Sequence, residues 1–139
     1  MDDSLGVPTS GLLDTCVVID YEALREQALP DLQAISSVTL AELHAGPHFA
    51  QNNAAEQVQR QQVLRHAERT FPSPLPFDTT AAQIYGSVNL LTLAAGRKPR
   101  KYQLDLMIAS IAIANRLPLY TRNPKDFEPL RSLLDVREV

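Results

Sequence analysis

Apolar residues in this chain fall into short unbroken runs and into longer stretches where they recur every three or four positions. Gly11-Leu12-Leu13-Asp14 is a run that ends in a carboxylate, and it predicts a buried strand. Thr15 to Arg25 follows as a helix with Val18, Ile19 and Leu24 inward. A second strand is expected over Gln33 to Ser36. Ser36 or Ser37 can cap a helix from Val38 to Ala45, which Gly46-Pro47 should stop. Asn53 to Thr70 predicts a polar helix with a thin apolar stripe through Leu64, Ala67 and Phe71, suited to a surface or a partner. Leu75 to Phe77 predicts a short third strand. Asp78 or Thr79 then caps a helix with Ile84, Val88, Leu91 and Ala95 at helical spacing. Leu104 to Asn115 is apolar almost all round and predicts a buried helix. Strands are expected at Leu119-Tyr120 and near Val136. Short strands alternating with helices predict an α/β fold whose parallel sheet is covered on both faces.

Composition narrows this picture. The chain has 139 residues, enough for one domain with a sizeable core. Residues 1–10 carry Asp2 and Asp3 and no apolar segment, so they read as a loose leader rather than a secretory signal, before a single domain over 11–139. No run approaches the roughly 20 apolar residues that span a bilayer, and the expected location is the cytoplasm. One cysteine, Cys16, excludes an internal disulfide and reads as a small buried thiol. The net charge of -3 argues against a generic nucleic-acid coat. The cations Arg97, Lys98, Arg100 and Lys101 are nevertheless concentrated in one turn.

In a parallel sheet, functional groups gather beyond the carboxyl ends of the strands. Asp14 ends the first strand, Glu42 follows the second, Asp105 opens the apolar helix and Asp126 follows the fourth strand, so all four can reach one crevice. Carboxylates brought together repel, and a hard divalent cation such as Mg²⁺ relieves that repulsion. Each acid also has an ordinary role. Asp14 can cap a helix, Asp105 can complement a helix dipole, Glu42 can be solvated, and Asp126 can simply lie in a loop.

Four stretches occur in order: Leu12-Leu13-Asp14-Thr15, Ser37 to Leu43, Asp105 to Ala109, and Thr121 to Phe127. Together they resemble the PIN domain of the VapC family, the ribonuclease toxins of bacterial toxin–antitoxin systems. The resemblance spans nearly the whole chain from Leu12. It implies a three-layer α/β/α fold around a mostly parallel five-stranded sheet. It also implies an endoribonuclease dependent on Mg²⁺ or Mn²⁺, a neutralising VapB-like antitoxin and a homodimer. By that likeness Asp14 and Asp105 are the main metal ligands, with Glu42 completing the site. Asn123 or Asp126 fills a fourth position, and Thr15 and Thr121 are supporting hydroxyls.

Other features carry less. The turn from Arg97 to Lys101 can grip RNA phosphates or remain a solvated turn. His44 and His48 have metal-ligand spacing, but Gly46-Pro47 is expected to break the helix between them. Tyr85 reads as core, while Tyr102 is open to base stacking. Family likeness places the antitoxin on the helices between Ser37 and Thr70. Two other functions fit a small acidic α/β unit: a non-catalytic PIN-like module that binds RNA or protein, and a phosphoryl-accepting receiver domain. The receiver lacks support, since it needs a paired acid where Asp14 has Leu13 and Thr15 as neighbours.

Overall fold

The structure is a computed structural model that describes residues 9–24 and 28–139. The expected leader lies outside the described residues as far as residue 8, as does Arg25, the expected end of the first helix. Thr9 and Ser10 belong to the folded unit. Thr9 exchanges hydrogen bonds with Asp31 at 3.0 and 2.9 Å, and Ser10 opens the first strand.

Strands β1 (Ser10–Leu13), β2 (Leu32–Ala34), β3 (Leu119–Thr121) and β4 (Val136–Glu138) form a four-stranded parallel sheet in the order β2-β1-β3-β4. Successive side chains point to opposite faces. Leu12, Leu119 and Val136 enter one core with helices α5 (Thr79–Ala94) and α6 (Gln103–Ala114). Leu13 and Tyr120 enter the other with α1 (Thr15–Ile19), α2 (Tyr21–Leu24), α3 (Ser37–Phe49) and α4 (Ala54–Thr70). Six residues of α6 are buried, which accounts for its nearly uniform apolar sequence.

Among the described residues the sheet has four strands rather than the five expected. Leu75 makes a single parallel bridge to Ser36, through Leu75 N–H to Ile35 O at 2.9 Å and Ser37 N–H to Leu75 O at 2.8 Å. A second rung has no partner strand, because Ser37 already belongs to α3. The Phe77 N–H instead meets Ser37 Oγ at 3.3 Å. Pro74 and Pro76 flank the bridge and offer no N–H toward the outer edge.

Helix α3 runs through Gly46-Pro47 instead of ending there. Packing against α4 outweighs the local break: Pro47 is buried, and Arg60 of α4 donates to the Gly46 carbonyl at 2.9 Å. The first helix, expected to be continuous, is divided at Asp20, which caps α1. Val17 and Val18 are therefore the buried pair, and Ile19 is exposed. Ala95, expected inward, is the exposed C-cap of α5.

β1 lies between β2 and β3, so the winding reverses at β1. The crevice beyond the ends of β1 and β3 is the switch point at which wound α/β sheets bind ligands. Earlier in β1, the Tyr120 ring lies directly over Gly11. A Cβ on Gly11 would collide with the Tyr120 ring. Gly11→Ala should cost about 1–3 kcal/mol in urea denaturation by overpacking this contact. A midpoint equal to wild type would show that the ring moves aside freely.

Candidate active site

Asp14 stands at the switch point. Its extended backbone ends β1, and its carboxylate caps α1 by accepting the Thr15 N–H at 2.9 Å. The second oxygen accepts the Thr121 hydroxyl at 2.8 Å from the end of β3. Asp14 is 5% exposed. The capping role and the site role are thus held by one side chain. Burial pushes its pKa up, opposed by hydrogen bonds from Thr121, Cys16 and Thr15, and the Asp126 charge adds to the rise.

Glu42 reaches the same place from α3, which Ser36 caps through the Thr39 N–H at 3.0 Å. The Thr15 hydroxyl donates to Glu42 Oε1 at 2.7 Å. Burial raises the Glu42 pKa, Thr15 lowers it, and the Asp14 charge raises it. Asp105 lies in the first turn of α6. Burial, followed by the charges of Asp14, Asp126 and Glu42, pushes it up to about 7. Asp14, Glu42 and Asp126 therefore reach Asp105 from three other segments of the chain.

At the fourth position the two candidates differ. Asp126 is half-buried in the 3₁₀ turn Pro124–Leu130, and its charge acts on Asp14 and Asp105. Asn123 is exposed, and its side chain makes no capping hydrogen bond. Its backbone N–H meets Thr121 Oγ1 at 3.0 Å.

Cys16 is half-buried, with its thiol 3.4 Å from Asp14 Oδ2. Burial and the Asp14 charge push it up to about 11, so the thiol stays protonated at neutral pH. The sequence did not single out Thr39. Its place three residues before Glu42, on the same helical face, was the available signal.

The four cations of the basic turn divide. Arg97 is half-buried and donates to the Lys125 carbonyl at 2.9 Å, so it braces the Asp126 loop. Lys98, Arg100 and Lys101 are exposed around the 3₁₀ turn Pro99–Tyr102. Tyr102 packs against the core, with Arg97 and Lys101 each 5.6 Å from its ring centre. Tyr85 also packs there, edge-on to Phe77. The continuity of α3 keeps His44 and His48 four residues apart on one helix, but His44 pairs with Glu68 at 3.2 Å. Among the described residues, no three His, Cys, Asp or Glu side chains are arranged to enclose a metal ion. No helix among them is long and apolar enough to cross a membrane.

A cleft of about 690 Å³ opens beside Glu42, between α3 and α4. Ile19, Leu43, Phe49, Val63 and Leu104 supply apolar walls, with Arg60 and Glu56 on one side.

A parallel sheet with acids at its switch point defines a PIN-like α/β unit. No protein-family model matches the chain. It is 33% identical over 126 residues to Ribonuclease VapC5 of Mycobacterium tuberculosis (strain ATCC 25618 / H37Rv), covering 88% of this chain and 89% of that protein. The crystal structure of VapBC-5, a member of the VapBC family of toxin–antitoxin systems from the same species, superposes with a TM-score of 0.76. That match is 33% identical and covers 95% of this chain and 98% of the other. VapBC2 from Rickettsia felis, bound to a DNA fragment from its promoter, matches with a TM-score of 0.72 at 25% identity, covering 94% and 98%. The chain belongs to the VapC family, the PIN-domain ribonuclease toxins of VapBC toxin–antitoxin systems.

Asp105 generates a pH prediction. Its folded pKa of about 7 exceeds the ordinary value of 3.8, so the folded chain binds the proton more tightly than the unfolded chain. Stability is then fully present below about pH 4 and is lost as pH rises to about 7. Asp105→Asn escapes that loss. In chelator-treated buffer its melting temperature should exceed wild type by several degrees at pH 8, with the gap closing toward pH 4. Equal melting temperatures at pH 8 would refute the burial argument.

Proposed function

We propose that Asp14, Glu42, Asp105 and Asp126 form the catalytic site of an endoribonuclease that uses Mg²⁺ (or Mn²⁺), with Asp14 and Asp105 as main ligands and Glu42 in support. The observation that carries this reading is the convergence at the β1–β3 switch point of Asp14 and Glu42, both held by Thr15, with the charges of Asp14, Asp126 and Glu42 all reaching Asp105. Their donor chemistry fits a hard cation. Mg²⁺ keeps several waters and takes one or two carboxylates, so it does not require a three-carboxylate enclosure. When bound, such a cation acidifies water and neutralises charge developing on a scissile phosphate.

The protein's own groups do the positioning. Thr15 N–H and the Thr121 hydroxyl hold both Asp14 oxygens in one orientation. The Thr15 hydroxyl holds one Glu42 oxygen and leaves the other for a cation or its water. Arg97 braces the Asp126 loop, while Lys98, Arg100 and Lys101 remain exposed to meet RNA phosphates. The cleft between α3 and α4 suits an apolar segment of a VapB-like antitoxin, whose basic side chain would then reach Glu42. Relatives seen as VapBC assemblies support an antitoxin partner. A homodimer and a cytoplasmic site of action rest on family likeness. Family membership sets aside the receiver reading, and a non-catalytic module becomes an outcome of the test.

Cleavage of total RNA with Mg²⁺ tests the site. Asp14→Asn and Asp105→Asn should each fall by more than about a hundredfold, beyond the roughly 10–100-fold typical of residues that only orient a ligand. Asp126→Asn should also fall, while Asn123→Ala should stay near wild type. EDTA should abolish cleavage, and added antitoxin should suppress it unless Phe49→Asp blocks the cleft. Full activity in Asp14→Asn, or with EDTA, would overturn the site. Absence of cleavage by the wild type would favour a non-catalytic module.

RNA binding tests the basic turn, using an Asp14→Asn background that leaves the substrate intact. Neutralising Arg100 and Lys101 to Gln should reduce the slope of log affinity against log salt by about 1 to 1.5. An unchanged slope would leave the turn merely solvated.

A further inference from the structure

Behind Glu42 lies a chain of hydroxyls that begins in the core. Ser36 and Thr39 are fully buried. Ser36 Oγ donates to Thr39 Oγ1 at 3.3 Å and accepts the Thr39 N–H. Thr39 Oγ1 is 2.9 Å from Thr15 Oγ1, which in turn donates to Glu42 Oε1. A hydroxyl has one proton, and an ionised carboxylate only accepts. The Thr15 proton is therefore committed to Glu42, so the proton between Thr39 and Thr15 comes from Thr39. Ser36 supplies the one before it. Donation runs in one direction, from Ser36 through Thr39 and Thr15 to Glu42. Thr15 also gives its backbone N–H to Asp14, so one residue donates to two acids from two elements.

The geometry points to Thr39 as a positioning residue: its buried hydroxyl fixes the side-chain rotamer of Thr15, and through Thr15 the orientation of Glu42 relative to Asp14. A threonine side chain chooses among staggered wells, and near a helix start its hydroxyl has several acceptors within reach. A donor held on the far side selects one well. The rotamer lock stands on the hydrogen-bond geometry alone. Its effect on cation binding rests on the function proposed above.

Two readouts separate these layers. Three-bond couplings from the Thr15 γ-methyl carbon to the backbone nitrogen and carbonyl carbon report its rotamer in metal-free protein. Wild type and Thr39→Ser should show one rotamer, and Thr39→Val, which keeps the shape but lacks the hydroxyl, should show averaging. Thr39→Ala is a second variant with the same expectation should Thr39→Val not fold. Calorimetric titration with Mn²⁺ is the second readout. Thr39→Val should bind about tenfold more weakly, and Thr39→Ser should bind near wild type. Adding Thr39→Val to Thr15→Val should weaken binding no further, because Thr39 acts only through Thr15. An unchanged single rotamer in Thr39→Val overturns the lock, and an equal loss of affinity in both backgrounds overturns its route through Thr15. A wild type that binds no Mn²⁺ defeats the cation reading, while the couplings still decide the lock.

Discussion

Mutual repulsion among carboxylates is the constraint on which the site depends. Asp14 is nearly excluded from water, and three further acids act on it or on one another. Left unopposed, burial would neutralise or expel such groups. The surrounding hydroxyls and amides supply the opposing donors. Thr121, Thr15 and Cys16 all point hydrogen-bond donors at Asp14, and each lowers its pKa. Asp105 has no comparable lowering contribution: burial, followed by the charges of Asp14, Asp126 and Glu42, pushes it up to about 7. Asp105 is thus the acid on which the other three all act, on top of its burial.

The fold serves this arrangement by bringing four short elements to one point. β1 and β3 are central and buried on both faces, so their carboxyl ends are rigid. Asp14 and Thr121 sit at those two ends and are joined by a hydrogen bond across them. α3 and α6 then approach from opposite sides of the sheet and contribute Glu42 and Asp105. The deep core residues Leu12, Leu13, Leu119 and Ile108 fix these directions without touching the chemistry.

Much of this was legible in the sequence because short apolar runs and acids at their ends have few structural interpretations. Leu12-Leu13-Asp14 and Leu119-Tyr120-Thr121 are central strands, and periodicity located α5 and α6. The misplacements share one cause, which is tertiary context overriding a local signal. Pro47 reads as a stop but is packed on α4, and Ile19 reads as core but lines the cleft after α1 ends at Asp20. Leu75 to Phe77 reads as a strand but finds only one rung of partner. Within the site, carboxylates were visible as charges at strand ends. Asn123 and Asp126 could not be separated, because the choice depends on how the 3₁₀ turn orients them. The Ser36–Thr39–Thr15 chain was hidden because threonine in a helix has no local mark of its burial or partner.

That single rung at Leu75 also governs how other chains can approach. Its two backbone groups point inward to Ile35 and Ser37, and the outward-facing nitrogens beside it belong to Pro74 and Pro76. At this rung, the outward N–H donors that an incoming extended peptide would pair with are therefore lacking. A chain approaching this rung meets side-chain shape and charge rather than a row of backbone donors.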